Sequence, residues 1–285
     1  MLNEKENNKG IVIVATGHAA FGRMAYNLCL SIKSVEDFPV AVLHSGNALK
    51  HLSDMQKSNF DHIIEMGTEV MAGTCSKLYA YKYSPFDCTL LLDADMLWLP
   101  KQKPSDLFKQ LDGVTFTGIT EGSEDKPHPK YYFWADVSEI KEVYKPEGKL
   151  YQWRSEVLYF TREAALIFED AISIVSNPRL ESIKLFAHKP PDELGINIAT
   201  AIHNVKPHVI NWQPSFWHLM NGGVVPDHNM LYMKYWLISF GSNMITGTLK
   251  KVYDRLMKAA CYKLGVQHVF QIESKRNFLP DRNKM

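Results

Sequence analysis

The sequence predicts an α/β fold in which a mixed, mostly parallel central sheet is flanked by helices. Three observations predict it. Short β-branched or leucine runs occur at residues 11–15, 39–43, 62–64 and 89–92, stretches with apolar residues at helical spacing separate several of them, and the two alternate along the first 120 residues. With 285 residues, 46% hydrophobic and 22% charged, the chain is long enough to bury one large core or two fused halves.

Taken in order, Ile11 to Val14 form a β-branched run that closes on Ala15 and turns at Thr16-Gly17-His18, after which Met24, Leu28, Ile32 and Val35 recur at helical spacing. Residues 39–43 read as a second buried strand, 47–59 as a polar helix, 62–64 as a strand and 75–83 as a helix. Thr89 and the leucines 90–92 make an apolar strand running into Asp93-Ala94-Asp95. A helix is predicted over 105–111, a strand over 114–117 and a long polar surface loop over 122–129. A strand over 157–160 and helices over 163–175 and 191–201 follow. The last element is a helix over 249–264: Leu249, Val252, Tyr253, Leu256, Met257, Ala260 and Leu264 mark one face, and Lys250, Lys251, Arg255 and Lys258 sit off it.

Composition narrows the function classes. Residues 1–9 are polar and lack the apolar core of a secretory leader, and no stretch reaches roughly 18 uninterrupted apolar residues. A cytoplasmic protein is expected, peripheral at a membrane if the basic C-terminal helix contacts one. Cys29, Cys75, Cys88 and Cys261 lie far apart with no C-x-x-C pair, which suggests neither a zinc ribbon nor a disulfide framework. Net charge is +1 overall, but from Met230 onward ten Lys or Arg stand against three acids, a net +7. That asymmetry fits an anionic surface or simply a solvated helix face.

The chemistry concentrates at residues 93–95. Two carboxylates closing a leucine strand repel each other unless water or a cation compensates them. The carboxyl end of a sheet strand is where ligands bind in α/β folds, and hard oxygen donors suit Mg²⁺ or Mn²⁺ on a diphosphate. The plainer reading is a solvated loop after a buried strand.

Ser76-Lys77-Leu78-Tyr79 followed by Leu91-Leu92-Asp93-Ala94-Asp95-Met96-Leu97 resembles the Lys-Leu helix and Leu-Asp-Ala-Asp strand end of glycogenin-like retaining glycosyltransferases. Val14 to His18 is similar to that family's first strand and turn, Asp192-Glu193-Leu194-Gly195-Ile196-Asn197 to its Asp-Gln-x-x-Leu-Asn, and His228, Lys234 and Trp236 keep the spacing of its His-x-x-Gly-x-x-Lys-Pro-Trp. The resemblance implies a GT-A-type nucleotide-sugar-binding fold, with Asp93, Asp95 and His228 as ligands of Mn²⁺ or Mg²⁺. It implies donor contacts from Ala15, Thr16, Lys77, Asp93, Asn197 and Lys234, and places Asp192 and Glu193 at the transferred sugar. The donor is then a nucleotide diphosphate-sugar, UDP-linked by the same resemblance. The acceptor is open: a glycan, a lipid-linked glycan, a protein or a hydroxylated DNA base.

The family frame also divides the chain. Residues 1–9 form a flexible N-terminus and 10–247 a catalytic domain, with a donor half over 10–120 and an acceptor half over 121–247. Residues 248–285 form the basic helix and tail. Departures from the family pattern are Glu193 for Gln, Leu231 for Gly, Tyr235 for Pro and Arg154-Ser155-Glu156 for Asn-Ser-Gly. Plainer roles stand beside these: acids favoured at a helix start for Asp192 and Glu193, a solvated helix face for Lys77, a loop histidine for His228 and a lysine lying over an aromatic for Lys234. A nucleotidyltransferase and an inactive sugar-nucleotide-binding protein are the competing classes.

Overall fold

The computed structural model describes residues 8–128, 133–185, 191–208, 216–218, 228–241 and 247–266. In chain order the elements are β1 (Lys9–Ala15), α1 (Ala19–Val35), β2 (Val40–His44), α2 (Asp54–Lys57) and β3 (His62–Glu65). A 3-10 segment, Gly73–Tyr79, leads into α3 (Ala80–Tyr83), then β4 (Cys88–Asp93), β5 (Met96–Trp98), α4 (Pro104–Gln110), β6 (Phe116–Ser123) and α5 (Val137–Tyr144). The remainder is β7 (Tyr151–Thr161), α6 (Ala165–Val175), α7 (Asp192–Ile202), β8 (Phe216–His218), α8 (His228–Lys234), β9 (Leu237–Ser239) and α9 (Gly247–Leu264).

Six strands form the main sheet in the order β3-β2-β1-β4-β7-β6, and β5-β9-β8 form a smaller one. β2 and β3 are parallel, whereas β7 runs antiparallel to both β4 and β6. The sheet is therefore mixed and, with its flanking helices, α/β as predicted. Two compact units interleave in sequence: residues 1–12, 66–92 and 113–209, and residues 13–65, 93–112 and 210–285.

In the first unit, β7 packs against α7, α7 packs against α6, and rings from β6 and β7 surround Phe168 of α6, which is fully buried. The rings of Phe160, Phe116 and Tyr81 lie 4.7, 5.8 and 5.5 Å from it. Burying such a ring contributes about 1.5–3 kcal/mol. Gly195 lets α7 approach α6, because a Cβ there would fall 2.7 Å from the Ala171 carbonyl oxygen.

In the second unit, α1 starts at His18, whose Nδ1 accepts from Ala20 N at 3.1 Å. Its buried face carries two polar fasteners. Ser31 Oγ accepts from Trp98 N at 2.9 Å, and Asn27 Nδ2 donates to Tyr253 Oη at 3.2 Å, tying α1 to β5 and α9. Trp98 and Trp236 meet edge to face at 4.8 Å where β5 adjoins β9.

Three local expectations are corrected. The helix predicted over 47–59 shrinks to α2, held by a Ser53–Gln56 capping box. Ala48, Leu49 and Leu52 are instead buried in turns, with Ala48 lying on Gly22 of α1, so tertiary burial overrides the polar periodicity. The polar loop predicted from residue 122 begins later, since β6 continues to Ser123, paired with a β7 that starts at Tyr151 rather than 157. Two elements are missing from the sequence expectations: β5, too short at three residues to show a period, and α5, although Val137, Ile140, Val143 and Tyr144 recur at helical spacing behind the Asp136 cap. Among the described residues no helix is long and apolar enough to cross a membrane. Residues 1–7 and 267–285, expected to be a flexible start and a basic tail, lie outside the described residues.

Candidate active site

Each unit carries its own set of chemically active side chains. In the second unit, Asp93 is the last residue of β4, Ala94 and Asp95 form the turn and Met96 opens β5. Leu90, Leu91 and Leu92 are fully buried, Ala94 is buried and both aspartates are half-buried, so the carboxylates stand at the rim of an apolar wall. The Asp95 carbonyl oxygen accepts from Phe240 N at 3.1 Å, which joins the turn to the end of β9. Strand alternation governs Asp93 but not Asp95, which lies in the turn. The donor set, two carboxylates at a strand end, suits a hard divalent cation. Among the described residues no three His, Cys, Asp or Glu side chains gather as a complete metal cage. His228 opens α8, which corrects its reading as a loop residue; its side chain lies outside the described residues.

The first unit holds a buried charge cluster. Asp192, the first residue of α7, is 3% exposed, and its Oδ2 lies 3.5 Å from the Nζ of Lys77, itself 8% exposed. That separation allows charge attraction without hydrogen-bond alignment, and Oδ2 has no hydrogen-bond partner among the described residues. Lys77 is thus buried, which overturns the solvated-face alternative. Its Nζ also donates to Ser155 Oγ at 3.5 Å. Glu193 Oε1 lies 3.5 Å from Arg154 Nη1, and Glu193 Oε2 accepts from Trp134 Nε1 at 2.7 Å. Arg154 Nε and Nη2 each lie 3.1 Å from Glu156 Oε1.

Burial pushes the Glu193 carboxyl up to about 7; Arg154 opposes the rise, Asp192 and Glu156 add to it, and the Trp134 hydrogen bond works against it. A carboxyl poised there exchanges a proton near neutral pH. Burial, helped by Asp192, likewise raises the Cys75 thiol to about 11, which makes it a poor nucleophile.

The other expected residues are placed as follows. Ala15 ends β1 fully buried, its carbonyl oxygen accepting from Ser45 N at 3.4 Å; Thr16 follows half-buried. Asn197 is 1% exposed, and its Oδ1 accepts from Trp153 N at 2.9 Å, so it braces β7 against α7. Lys234 is exposed, with Nζ 5.3 Å from the centroid of the Tyr235 ring.

Sequence reasoning missed Trp134, Arg154 and Glu156 as members of the cluster. Trp134 takes a left-handed φ of +66°, which is costly for a bulky residue. The available signal was the polar run Gln152, Arg154, Ser155 and Glu156 directly before a strongly apolar strand segment.

No protein-family model and no curated protein matches the sequence. Among solved structures, the chain is similar to the apo structure of the bifunctional glycosyltransferase WbbM, with a TM-score of 0.54 and 11% identity, covering 93% of this chain. The chain spans about half, 52%, of the length of that structure. The likeness does not single out the glycogenin-like family; it shows that this chain shares the fold of that structure.

Proposed function

We propose that the chain is a metal-dependent glycosyltransferase that moves a hexose or related sugar from a nucleotide diphosphate-sugar to an acceptor hydroxyl. The observation that carries this reading is Asp93-Ala94-Asp95 at the carboxyl end of β4 in a glycosyltransferase fold. Asp93 and Asp95 would hold Mn²⁺ or Mg²⁺, with His228 as a third ligand by the resemblance. A bound divalent ion offsets the charge that develops on the leaving diphosphate.

Within the first unit, Asp192 and Lys77 form a rigid buried pair at the start of α7, and Arg154 and Trp134 orient the Glu193 carboxyl. Glu193 holds or releases a proton at neutral pH, which suits it to a sugar or acceptor hydroxyl. Transfer breaks the bond from the anomeric carbon to the diphosphate and forms one to the acceptor oxygen, whose proton leaves. The resemblance supports a UDP-sugar, retention of configuration and donor contacts from Ala15, Thr16, Asn197 and Lys234.

A second observation bears on partners. On α9, Lys251, Arg255, Lys258, Tyr262 and Lys263 are exposed along one face, with Tyr262 91% exposed, while Tyr253, Leu256 and Met257 are buried on the other. The face carries no acid, since the half-buried Asp254 is paired with Lys250 at 2.6 Å. Such a stripe suits an anionic lipid surface, with tyrosine at headgroup depth.

The test is turnover of UDP-, GDP-, ADP- and CMP-sugars by the purified chain with and without Mn²⁺. Metal-dependent hydrolysis or transfer from a UDP-sugar is expected. Folded protein that turns over none of the four contradicts the proposal.

A further inference from the structure

β6 and β7 lose register between Thr120 and Ser123: Thr120 faces Trp153 and Ser123 faces Tyr151, so Glu121 and Gly122 together oppose Gln152. This is a β-bulge, a device that re-aims side chains at the end of a ladder. Beyond it the chain folds back on itself. Ser123 and Lys126 exchange backbone hydrogen bonds of 3.2 and 3.0 Å, and the buried Gln152 accepts from His128 N at 2.7 Å. A Cβ on Gly122 would fall 2.3 Å from Gln152 Oε1 and 2.7 Å from His128 N, so this closure requires glycine. Ion pairs Lys149–Asp125 and Lys141–Glu124 fasten the turn from outside.

The bulge and turn border an open surface cleft of about 460 Å³, lined by Thr120, Glu121, Ser123, Lys126, His128 and Tyr151 among others. Small-ligand clefts span roughly 300–1,000 Å³. The lining has one phenol ring, three hydroxyls counting that of Tyr151, one carboxylate and one imidazole, and the charge of its single lysine is balanced by that of Glu121. A phosphate or polyanion needs clustered Arg or Lys, which this cleft lacks. A neutral saccharide fits: its C–H face packs on an aromatic ring and its hydroxyls take planar polar partners. Tyr151 precedes Arg154 on β7 by three residues, about 10 Å along the strand, and alternation places the two side chains on opposite faces, so the cleft is separate from the Glu193 cluster.

We propose that this cleft is an accessory site for a neutral carbohydrate acceptor, held at Tyr151 on the face of β7 opposite Arg154. It rests on the transferase reading for its role, but its binding chemistry is testable without donor.

The experiment is saturation-transfer NMR of the full chain with maltose, lactose, cellobiose and chitobiose, with no nucleotide or metal present. At least one should bind, Tyr151→Ala should weaken that binding at least tenfold, and Tyr151→Phe should keep it within about threefold. Glu121→Gln gives an independent variant, expected to weaken binding severalfold, should Tyr151→Ala fail to fold. Absence of binding by all four sugars overturns the proposal, as does unchanged binding in folded Tyr151→Ala or in Glu121→Gln. Donor hydrolysis without disaccharide binding removes this inference alone, whereas disaccharide binding without any donor turnover removes the transferase reading alone.

Discussion

The indole N–H of Trp134 donates a 2.7 Å hydrogen bond to the Glu193 carboxylate, from a tryptophan whose backbone sits in the left-handed region at φ +66°. A hydrogen bond to the charged form favours ionisation, so this contact works against the burial that raises Glu193. Trp134→Phe keeps a ring and removes the donor. A hydrogen bond to a charged group is worth about 1.5–3 kcal/mol, so the Glu193 titration should move upward by at least about one pH unit. The check is the pH profile of kcat/KM for donor turnover; a limb near pH 7 that stays in place in the variant contradicts the assignment.

Glu193 also makes stability depend on pH, with a definite sign. Its folded value of about 7 exceeds the ordinary 4.5, so the folded chain binds the proton more tightly than the unfolded one. That contribution is fully present below pH 4.5 and is lost as pH rises to 7. Relative to Glu193→Gln, which does not titrate, the wild-type chain should lose stability on the order of 3 kcal/mol across that window. Urea unfolding of both proteins at several pH values measures the difference; a constant gap between them rules the raised value out.

Lys77 and Asp192 form a buried pair whose members cannot be removed singly without cost. Lys77→Met leaves Asp192 as an uncompensated buried charge and should destabilise the chain by about 3–5 kcal/mol. Lys77→Met combined with Asp192→Leu should recover at least half of that loss. Denaturant midpoints of Lys77→Met, Asp192→Leu and the double variant provide the check, and a double-variant loss equal to the sum of the two single losses would show that the pair is not coupled.

The exposed stripe on α9 predicts a separation between folding and surface binding. Lys251→Glu, Arg255→Glu and Lys258→Glu together should lower binding to vesicles containing phosphatidylserine at least tenfold, each cation contributing about 1 kcal/mol near an anionic surface. The melting temperature should hardly move, because these side chains are exposed. Equal vesicle binding by both proteins refutes the surface role.

How much of this was legible in the sequence depended on whether a residue's environment matched its type. The apolar strand ending in Asp93 and the amphipathic helix α9 were readable because their burial follows their hydrophobicity. The start of β7 was not: Gln152, Ser155 and Glu156 are buried polar residues that erase the pattern expected of an inner strand. Ser155 and Glu156 contact members of the charge cluster and Gln152 closes the turn at His128, so the pattern failed where polar contacts displaced apolar packing. Asp192 and Glu193 were marked as candidates by resemblance and helix position. The partners of Glu193, Arg154 and Trp134, are 39 and 59 residues away in sequence, respectively, and the packing of β7 against α7 brings Arg154 to Glu193.

The most direct test of the central claim is calorimetric titration of UDP into the protein in Mn²⁺, after EDTA, and with Asp93→Asn or Asp95→Asn. If the two aspartates hold the cation that carries the diphosphate, affinity should fall at least tenfold both on chelation and in each variant, with the fold unchanged by circular dichroism. UDP affinity indifferent to EDTA and to both substitutions would contradict it.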